Sequence, residues 1–543
     1  VRTAPPGSQP TMSADEQVEC EQAVLASPEF QARVTAIIQQ GCLGNQYFMS
    51  PGGSDTSNGR SASTPFKSFS KAFSSMIAGD ELILLNGTYS VAAGTGYISF
   101  EGTKSAQPPS GLSLSRQTVV RAQNPGSVTV VGGFFLGRSA RKDSYIKLQG
   151  ITFVGNSELY NCDYCTVKEV GVNGTMNVGS NDHNMYSDHN LIEDVWVWAS
   201  GERVIAINYR SHFNTWRRVV VRGDGCGTAS CTGSGNPNVG ITVYDSSDVS
   251  LQNVIVVDRI LSPTDTPYAD FATAQHTPDP QYFFGRNEWL GTMSIRSPDS
   301  GYYMEQDPGM TVDPTIKISN AIAWDSRCEA FNISGAAATN VLMENLSART
   351  ATSTACDGVR VGPQLTTGTL RNILVTGQGR FGVNSRYQPR YVDLFFTPSQ
   401  SAYNQTNCVV GCFTTNPQAD SPGPSHKYVP RIETGSKLAT AGEGGAAIGA
   451  NVRFRYGADG TRFGDPGFNS LTTVPLWPWP NEARIKAEMC ASTTRGFCTT
   501  GKRLDNVNPV SLTSYIWEYM GLSLIHISEP TRRTPISYAV FCL

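Results

Sequence analysis

The sequence predicts an all-β solenoid, a parallel β-helix in which each coil of the chain stacks on the previous one. Three observations predict this fold. Charged residues are only 16% of the 543 residues and glycine occurs 53 times, which favours short strands and turns. An apolar strand signal recurs roughly every 25 residues, the spacing of one solenoid coil. The residue before that signal is repeatedly asparagine, a turn residue.

The strand signal consists of apolar residues at two positions, 0 and +2, which we expect to point into the coil stack. The instances are Ile151/Phe153, Val170/Val172, Val195/Val197, Val219/Val221, Val254/Val256, Ala321/Ala323, Leu346/Ala348 and Ile373/Val375. The long gap between the fifth and sixth instances holds a further coil around Met293 and Ile295. It also holds an insertion at residues 262–291 that is rich in proline, aspartate and aromatic residues.

The position before each strand is polar. Its occupants are Glu169, Asp194, Arg218, Asn253, Asn320, Asn345 and Asn372. Asparagine tolerates the left-handed conformation, and its amide can bond from coil to coil, so we favour a stacked turn. A row of polar functional side chains is the alternative.

The front of the chain has a different pattern. Phe66, Phe69, Ala72, Phe73 and Met76 lie on one helical face, followed by a stop at residues 78–80, a buried strand at 82–85 and a turn at 86–87. This opening resembles that of the right-handed parallel β-helix superfamily, which includes pectate lyases and related polysaccharide lyases. The resemblance implies a right-handed coil whose first edge is covered by a short helix.

Four segments are expected. Residues 1–49 form an N-terminal segment with an amphipathic helix at 13–40, and residues 50–412 form the β-helix. Residues 413–521 lose the repeat and form a covering extension with short helices at 481–489 and 512–520. Residues 522–543 resemble a translated sequencing-adaptor read-through and are left out of the fold prediction.

Cysteine usage predicts disulfides in an oxidising, extracellular or cell-surface compartment. Twelve of the 13 cysteines form six pairs of sequence neighbours, although spacing does not establish their connectivity. The pairs are Cys20 with Cys42, Cys162 with Cys165, Cys226 with Cys231, Cys328 with Cys356, Cys408 with Cys412, and Cys490 with Cys498. The alternative is zinc binding by the closest pair, Cys162 and Cys165, but no second such pair or histidine pair completes a site. Cys542 belongs to the excluded tail.

The outward strand positions, +1 and +3, are more apolar than a solvated face should be. We expect the extension, the N-terminal helix or another subunit to cover the +1 residues. The +3 residues Trp198, Arg222, Trp324 and Arg349 could instead bind sugar rings, with tryptophan stacking on the sugar and arginine pairing with uronate carboxylates. Trp289, in the insertion, is a further substrate-binding candidate.

The resemblance to polysaccharide lyases implies β-elimination, in which a base removes the C5 proton of a uronate. A cation, Ca²⁺ or arginine, neutralises the carboxylate. Residues 181–224 contain the highest density of acidic and basic residues in the expected β-helix. They supply Arg210, His212 and Arg222 as catalytic candidates, and Asp182, Asp188, Asp194 and Asp224 as candidate Ca²⁺ ligands. The alternative is a set of surface turns with local ion pairs.

Several classes are excluded. A net charge of −3 gives no basic field for nucleic acid, and no apolar run is long enough to span a membrane. Two functions remain: binding or β-elimination of an extracellular acidic polysaccharide, and a non-catalytic filament or adhesion protein that self-associates. We expect coverage of the +1 residues by residues 413–521 of the same chain to weigh against self-association.

Overall fold

The computed structural model describes a large part of the chain. The described residues are 27–28, 44–99, 105–138, 141–179, 185–201, 203–224, 238–260, 269–275, 286–306, 315–335, 340–350, 355–362, 367–377, 380–395, 403–415, 437–502 and 508–520. The α-helices among them are α1 (Phe69–Ser75), α2 (Glu482–Met489) and α3 (Leu512–Met520). Single 3₁₀ turns span Lys437–Ala439, Glu443–Gly445 and Gly496–Cys498.

The strands are short and numerous. The first part of the chain contains β1 (Gln46–Met49), β2 (Glu81–Leu84), β3 (Gly87–Tyr89), β4 (Tyr97–Ile98), β5 (Ser105–Ala106), β6 (Thr118–Ala122), β7 (Val128–Val131), β8 (Phe135–Leu136), β9 (Asp143–Ser144), β10 (Ile146–Gln149), β11 (Thr152–Val154), β12 (Ser157–Leu159), β13 (Cys162–Asp163), β14 (Thr166–Lys168), β15 (Gly171–Asn173), β16 (Met176–Val178), β17 (Leu191–Ala199), β18 (Arg203–Asn208) and β19 (Thr215–Gly223). The remainder contains β20 (Val239–Tyr244), β21 (Ser250–Gln252), β22 (Ile255–Val257), β23 (Ala269–Gln275), β24 (Asn287–Leu290), β25 (Met293–Ile295), β26 (Ser300–Gln306), β27 (Thr315–Ser326), β28 (Phe331–Gly335), β29 (Asn340–Thr350), β30 (Val359–Val361), β31 (Thr367–Thr376), β32 (Val383–Ser385), β33 (Arg390–Phe395), β34 (Tyr403–Gln405), β35 (Val410–Phe413), β36 (Phe454–Tyr456) and β37 (Leu471–Pro475).

These strands build two large parallel sheets, which confirms the predicted parallel β-helix. Sheet 1 has 20 strands and sheet 2, running from β8 to β34, has 11. Pairing is coil on coil: Val195 lies opposite Val219, and Ile205 on sheet 2 lies opposite Ile241. The first strand begins at Gln46 and the last strand of sheet 1 ends at Phe413.

The interior contains the residues that the periodicity assigned to it. Every residue at positions 0 and +2 belongs to the buried core of the coil stack. The polar position before each strand adopts the left-handed conformation in all seven coils, with φ between 49° and 57°. Asn372 Nδ2 donates to Asn345 Oδ1 at 2.9 Å. The stacked-turn interpretation of this position is therefore confirmed.

The long gap in the repeat contains more regular coil than the sequence pattern indicated. Met293 lies opposite Ile255, so Met293 and Ile295 face outward and Ser294 faces inward. Within the expected insertion at 262–291, β23 and β24 pair with strands of the neighbouring coils on both sides. Alanine and polar residues in these strands hid the apolar alternation on which the prediction depended.

The apolar residues of the helical opening are buried as predicted, but the helix is shorter than their span and the segment before it bonds the first edge. Phe66, Phe69, Ala72, Phe73 and Met76 are all buried in the coil core, and α1 is capped by Ser68 Oγ, which accepts from Lys71 N. The segment before this helix forms backbone hydrogen bonds with the open edge of β1. One of them runs from Phe48 N to Gly59 O at 2.8 Å. That segment thus blocks continued strand pairing.

The C-terminal extension lies across the outer face of sheet 1. Leu476, Trp477, Ile485, Phe497 and Ile516 share one buried apolar cluster with outward side chains of the sheet. Helices α2 and α3 lie where the sequence placed them. The extension therefore covers the apolar +1 residues within a single chain.

Four predicted disulfides are confirmed: Cys162–Cys165, Cys328–Cys356, Cys408–Cys412 and Cys490–Cys498. The other two expected pairs stay predictions. Cys20 and Cys42 of the first pair, and Cys226 and Cys231 of the second, all lie outside the described residues.

Two further expectations cannot be compared with the structure. Nearly all of the helix expected at 13–40 and the whole tail at 522–543 lie outside the described residues. Among the described helices, none is long and apolar enough to cross a bilayer.

Candidate active site

The tryptophans expected to bind sugar are enclosed. Trp198 is 5% exposed and Trp324 is 0% exposed, and both pack against the extension. Trp289 points into the coil stack, where its ring lies 6.4 Å from Phe271. Arg349 pairs with Asp325 at 3.2 Å and lies over Trp324. The structure does not gather these four residues into an open groove.

The cover makes both apolar and polar contacts with the sheet. Fully burying one large apolar side chain contributes about 1.5–3 kcal/mol, from which the conformational entropy of ordering the extension must be subtracted. Arg222 adds polar contacts, donating to Met489 O at 2.6 Å and Cys498 Sγ at 2.9 Å. Access of a polymer to the covered face would need loss of the whole contact.

Of the predicted catalytic and metal-binding residues, the structure brings Asp188, Arg210 and His212 near one another and places Arg222 elsewhere. His212 is buried at a coil corner, accepts Ser247 N through Nδ1 at 3.0 Å, and burial lowers its pKa to about 4. Arg210 adopts a left-handed turn, and its backbone N–H donates to Asp245 O. Arg222 lies on another strand face, bound bidentately to Asp224. No shared reaction centre results from these three.

The acidic residues expected to bind Ca²⁺ are used by separate partners. Asp188 accepts His212 N at 2.7 Å, and burial raises the pKa of Asp188 to about 7. Asp194 is bound bidentately by Arg218 at 2.6 and 2.9 Å. Asp224 binds Arg222 and Arg495, and Asp182 lies outside the described residues.

One group of potential metal ligands occurs among the described residues. It consists of Cys328, Glu329 and Cys356. Both sulfur atoms are joined in a disulfide, so they are not thiolate ligands.

A cleft on the first coils, away from the described part of the C-terminal extension, is a further candidate site. We call it the N-terminal cleft. It has a volume of about 640 Å³ and is lined by Gly44, Gln46, Gly79, Glu81, Leu114, Ser115, Arg116, Gln117, Val119 and Lys147. Four of these residues form one outward row of sheet 1, because Gln46 lies opposite Glu81, Glu81 opposite Val119, and Val119 opposite Lys147.

Lys147 is the titratable group that best fits catalysis here. It alternates with the buried Ile146 and Leu148 of β10, so its side chain faces outward into the cleft. Burial, followed by the charge of Lys168, lowers the pKa of Lys147. Its amino group has no hydrogen bond or ion pair to any described residue. Lowering the pKa of an amine increases the fraction that is unprotonated near neutral pH, and only this neutral form can act as a base.

Arg116 is a second cationic residue that lines the cleft. Its Nε is buried and has no hydrogen-bond partner within the described part of the chain, so a ligand would meet the rest of the guanidinium. Glu81 is engaged: it accepts Gln46 Nε2 at 2.6 Å and forms an ion pair with Arg121. Lys147 feels the charges of Glu81, Glu169 and Glu193 without a hydrogen bond or ion pair to them, and a guanidinium such as that of Arg116 can donate to a carboxylate.

Sequence reasoning missed this site because the strand signal was followed only from Ile151 onward. The earlier strands read TVVRA and IKLQ, and they alternate in the same way. Following the alternation into the strand that precedes Ile151 in the same coil would have placed Lys147 on the outer face. Arg116 could not have been found, because it comes from a turn whose position depends on the fold.

Comparison with known proteins gives likeness of fold at low similarity. No family model and no curated protein match the chain. Among solved structures, XylC in complex with xylose is 8% identical, with a TM-score of 0.44, over 67% of this chain and 86% of that one. Pectate lyase Pel9A is 16% identical, with a TM-score of 0.39, over 75% and 96%. A GH136 lacto-N-biosidase from Eubacterium ramulus is 9% identical, with a TM-score of 0.37, over 74% of both chains. None of these values carries an argument about function.

Proposed function

We propose that this protein is an extracellular lyase that binds an acidic polysaccharide in the N-terminal cleft and cleaves it by β-elimination. One observation carries the proposal: Lys147, with a lowered pKa and no ion pair to any described residue, lines the same cleft as the guanidinium-bearing Arg116. A half-buried amine and a guanidinium in one cleft meet the two needs of uronate elimination, a base and a carboxylate partner.

The chemistry can be assigned to these groups. Arg116 binds the uronate carboxylate and makes the C5 proton more acidic, and neutral Lys147 takes that proton. The C4–O4 bond then breaks as the C4–C5 double bond forms. The electron pair leaves with O4, which takes a proton from the Lys147 ammonium or from water. The products are a free chain end and an unsaturated uronate.

Arginine, not Ca²⁺, is the expected carboxylate partner. Among the described residues that line the cleft, the one carboxylate is Glu81, which is already held by Gln46 and Arg121, whereas Ca²⁺ takes six to eight oxygen ligands. We therefore expect elimination to persist in the presence of a chelator. Loss of activity on chelation, restored by added Ca²⁺, would overturn this assignment.

The proposed extracellular location is supported by the four described disulfides, which form and persist in oxidising compartments. The alternative function, a self-associating filament or adhesion protein, had the apolar outer row as its specific support. The extension buries that row within one chain, so it gives no argument for a second subunit.

The test is an ultraviolet assay for unsaturated uronate ends, using the full chain and a panel of uronic-acid polysaccharides. We expect Lys147→Ala to abolish the signal while substrate binding remains. Lys317→Ala is the matched control, because Lys317 belongs to the same outward row of sheet 1 but lies outside the cleft. A Lys147→Ala protein as active as the control would refute the proposal, and so would a flat trace from the folded full chain on every polymer.

A further inference from the structure

We propose that this protein is exolytic: it cleaves its polymer only within a sugar or two of a chain end, because the C-terminal extension closes one end of the N-terminal cleft. This inference rests on the proposed function, since it takes Lys147 as the base, and it adds where along the polymer that base acts. The register of sheet 1, the burial of its outward side chains and the contacts of Arg462 support it.

The outward row that lines the cleft becomes buried just past Lys147. Lys147 lies opposite Thr166, and Thr166 lies opposite Leu191, so both residues continue this row. Gln46 is exposed and Lys147 is half-buried, whereas Thr166 is 5% exposed and Leu191 is 2% exposed. Neighbouring coils are about 4.8 Å apart. The row therefore passes from accessible to buried within one coil of Lys147.

Arg462 of the extension forms this closed end. Its Nη2 donates to Thr166 Oγ1 at 2.6 Å, and its Nη1 donates to Cys165 O at 3.1 Å and to His189 O at 2.8 Å. The Arg462 side chain is buried, so each of these hydrogen bonds would have to be broken before it could move aside. The contact therefore fixes the extension against the coil that follows Lys147.

Two further contacts close the same coil. Gln117, which lines the cleft, donates from Nε2 to Thr166 Oγ1 at 3.0 Å. In the neighbouring outward row, the extension covers Glu193, whose Oε2 accepts Gly460 N at 3.0 Å. A polymer lying along the solenoid axis therefore meets protein on both rows once it has passed Lys147.

The closed end limits the length of polymer on one side of the base. Between Lys147 and Thr166 there is one coil spacing, about 4.8 Å, which is close to the length of one sugar residue. Between Lys147 and Gln46 there are three coil spacings, about 14 Å in total, and the row is exposed at Gln46. A polymer that places a uronate at Lys147 thus has room for a short end on the closed side and a longer run on the open side.

Product sizes from polygalacturonate and alginate, measured with the full chain, test this inference. We expect products of one or two sugars from the earliest time points, while the polymer keeps most of its viscosity. A series of intermediate oligomers with an early loss of viscosity would overturn exolytic action and leave the proposed elimination intact. No unsaturated ends from either polymer or from their oligomers would instead refute the proposed function, and the inference with it.

Arg462→Ala tests the closed end itself. We expect the mean size of the early products to increase severalfold, because the polymer can then continue across Thr166. Arg453→Ala is the matched control and should keep the wild-type pattern, since Arg453 is an exposed arginine of the same extension whose Nε bonds to Asn451. A folded Arg462→Ala protein with unchanged products would contradict the role of Arg462. If this variant does not fold, the product sizes of the wild-type protein still decide the inference.

Discussion

Glu193 is expected to be a main anchor between the β-helix and its extension. Its side chain is fully buried on β17 and pairs with Lys168 at 2.7 Å and with Arg217 at 2.9 Å. It also accepts the backbone N–H of Gly460, in the extension, at 3.0 Å. Replacing Glu193 with glutamine keeps the shape of the side chain and removes its charge, leaving the buried Arg217 and the 24% exposed Lys168 without this carboxylate.

The size of the effect follows from burial and from the pKa. Burial opposes the charge of Glu193, but the charge of Arg218, the Lys168 bond and the Gly460 bond outweigh it and lower the pKa from 4.5 to about 2. That difference corresponds to about 3 kcal/mol. Because the folded pKa is depressed, this stability is fully present above pH 4.5 and is lost as the pH falls towards 2. At pH 7, Glu193→Gln should cost about 3–5 kcal/mol, as when other buried ion pairs lose one partner.

Urea unfolding followed by tryptophan fluorescence, at pH 7 and at pH 2.5, measures this effect. We expect the gap between wild type and Glu193→Gln to be large at pH 7 and much smaller at pH 2.5. Asp459→Asn is the control: Asp459 is 57% exposed and pairs with Arg218 at 2.9 Å, so its loss should cost under about 1 kcal/mol. A gap that does not change with pH, or equal losses for both variants, would refute the reasoning.

Three other predictions concern the extension, a disulfide and the cleft. Trp477→Ala should destabilise by about 3–5 kcal/mol in chemical unfolding, because Trp477 is buried and its Nε1 donates to Val452 O at 2.9 Å; a loss below about 1 kcal/mol would contradict this. The double variant Cys328→Ala/Cys356→Ala, which opens a link across 28 residues, should lose about 3 kcal/mol under the same assay, and unchanged stability would count against a structural role. Activity should rise with pH as Lys147 loses its proton. Lys168→Met removes a neighbouring like charge, so it should raise the pKa of Lys147 and move this rise in activity to higher pH. An unchanged pH–activity profile would exclude Lys147 as the base.

Much of the solenoid could be predicted from sequence because its information is local and repeated. Inward strand residues such as Val195 and Val219 satisfy the same requirement in every coil, and each Asn turn adopts the same backbone. The C-terminal helices were also predictable from their own pattern. The register around Met293 was not, because the inward position beside it is Ser294, whose partner is the buried Asp270 at 2.7 Å.

The candidate site was much less predictable. Charge density pointed to residues 181–224, yet that density mainly reflects buried ion pairs such as Arg218 with Asp194, which hold the fold together. A sequence shows that charges are numerous, but it does not show which are paired. The cleft depends instead on which part of sheet 1 the extension leaves uncovered, and that is decided by contacts between residues more than 200 positions apart, such as Arg217 with Ala458 O.

The position of the cover in the chain has a consequence for biosynthesis. Trp198 leaves the ribosome about 280 residues before Trp479, the extension residue of the same apolar cluster. Translation proceeds at about 5–20 residues per second, so the outer face of the early coils stays exposed for on the order of tens of seconds before the extension is synthesised. A nascent chain in this period exposes a strip of tryptophan and valine on strands already able to pair. The yield of folded protein should therefore depend on chaperone supply and on a low expression temperature more strongly than the stability of the finished fold would suggest.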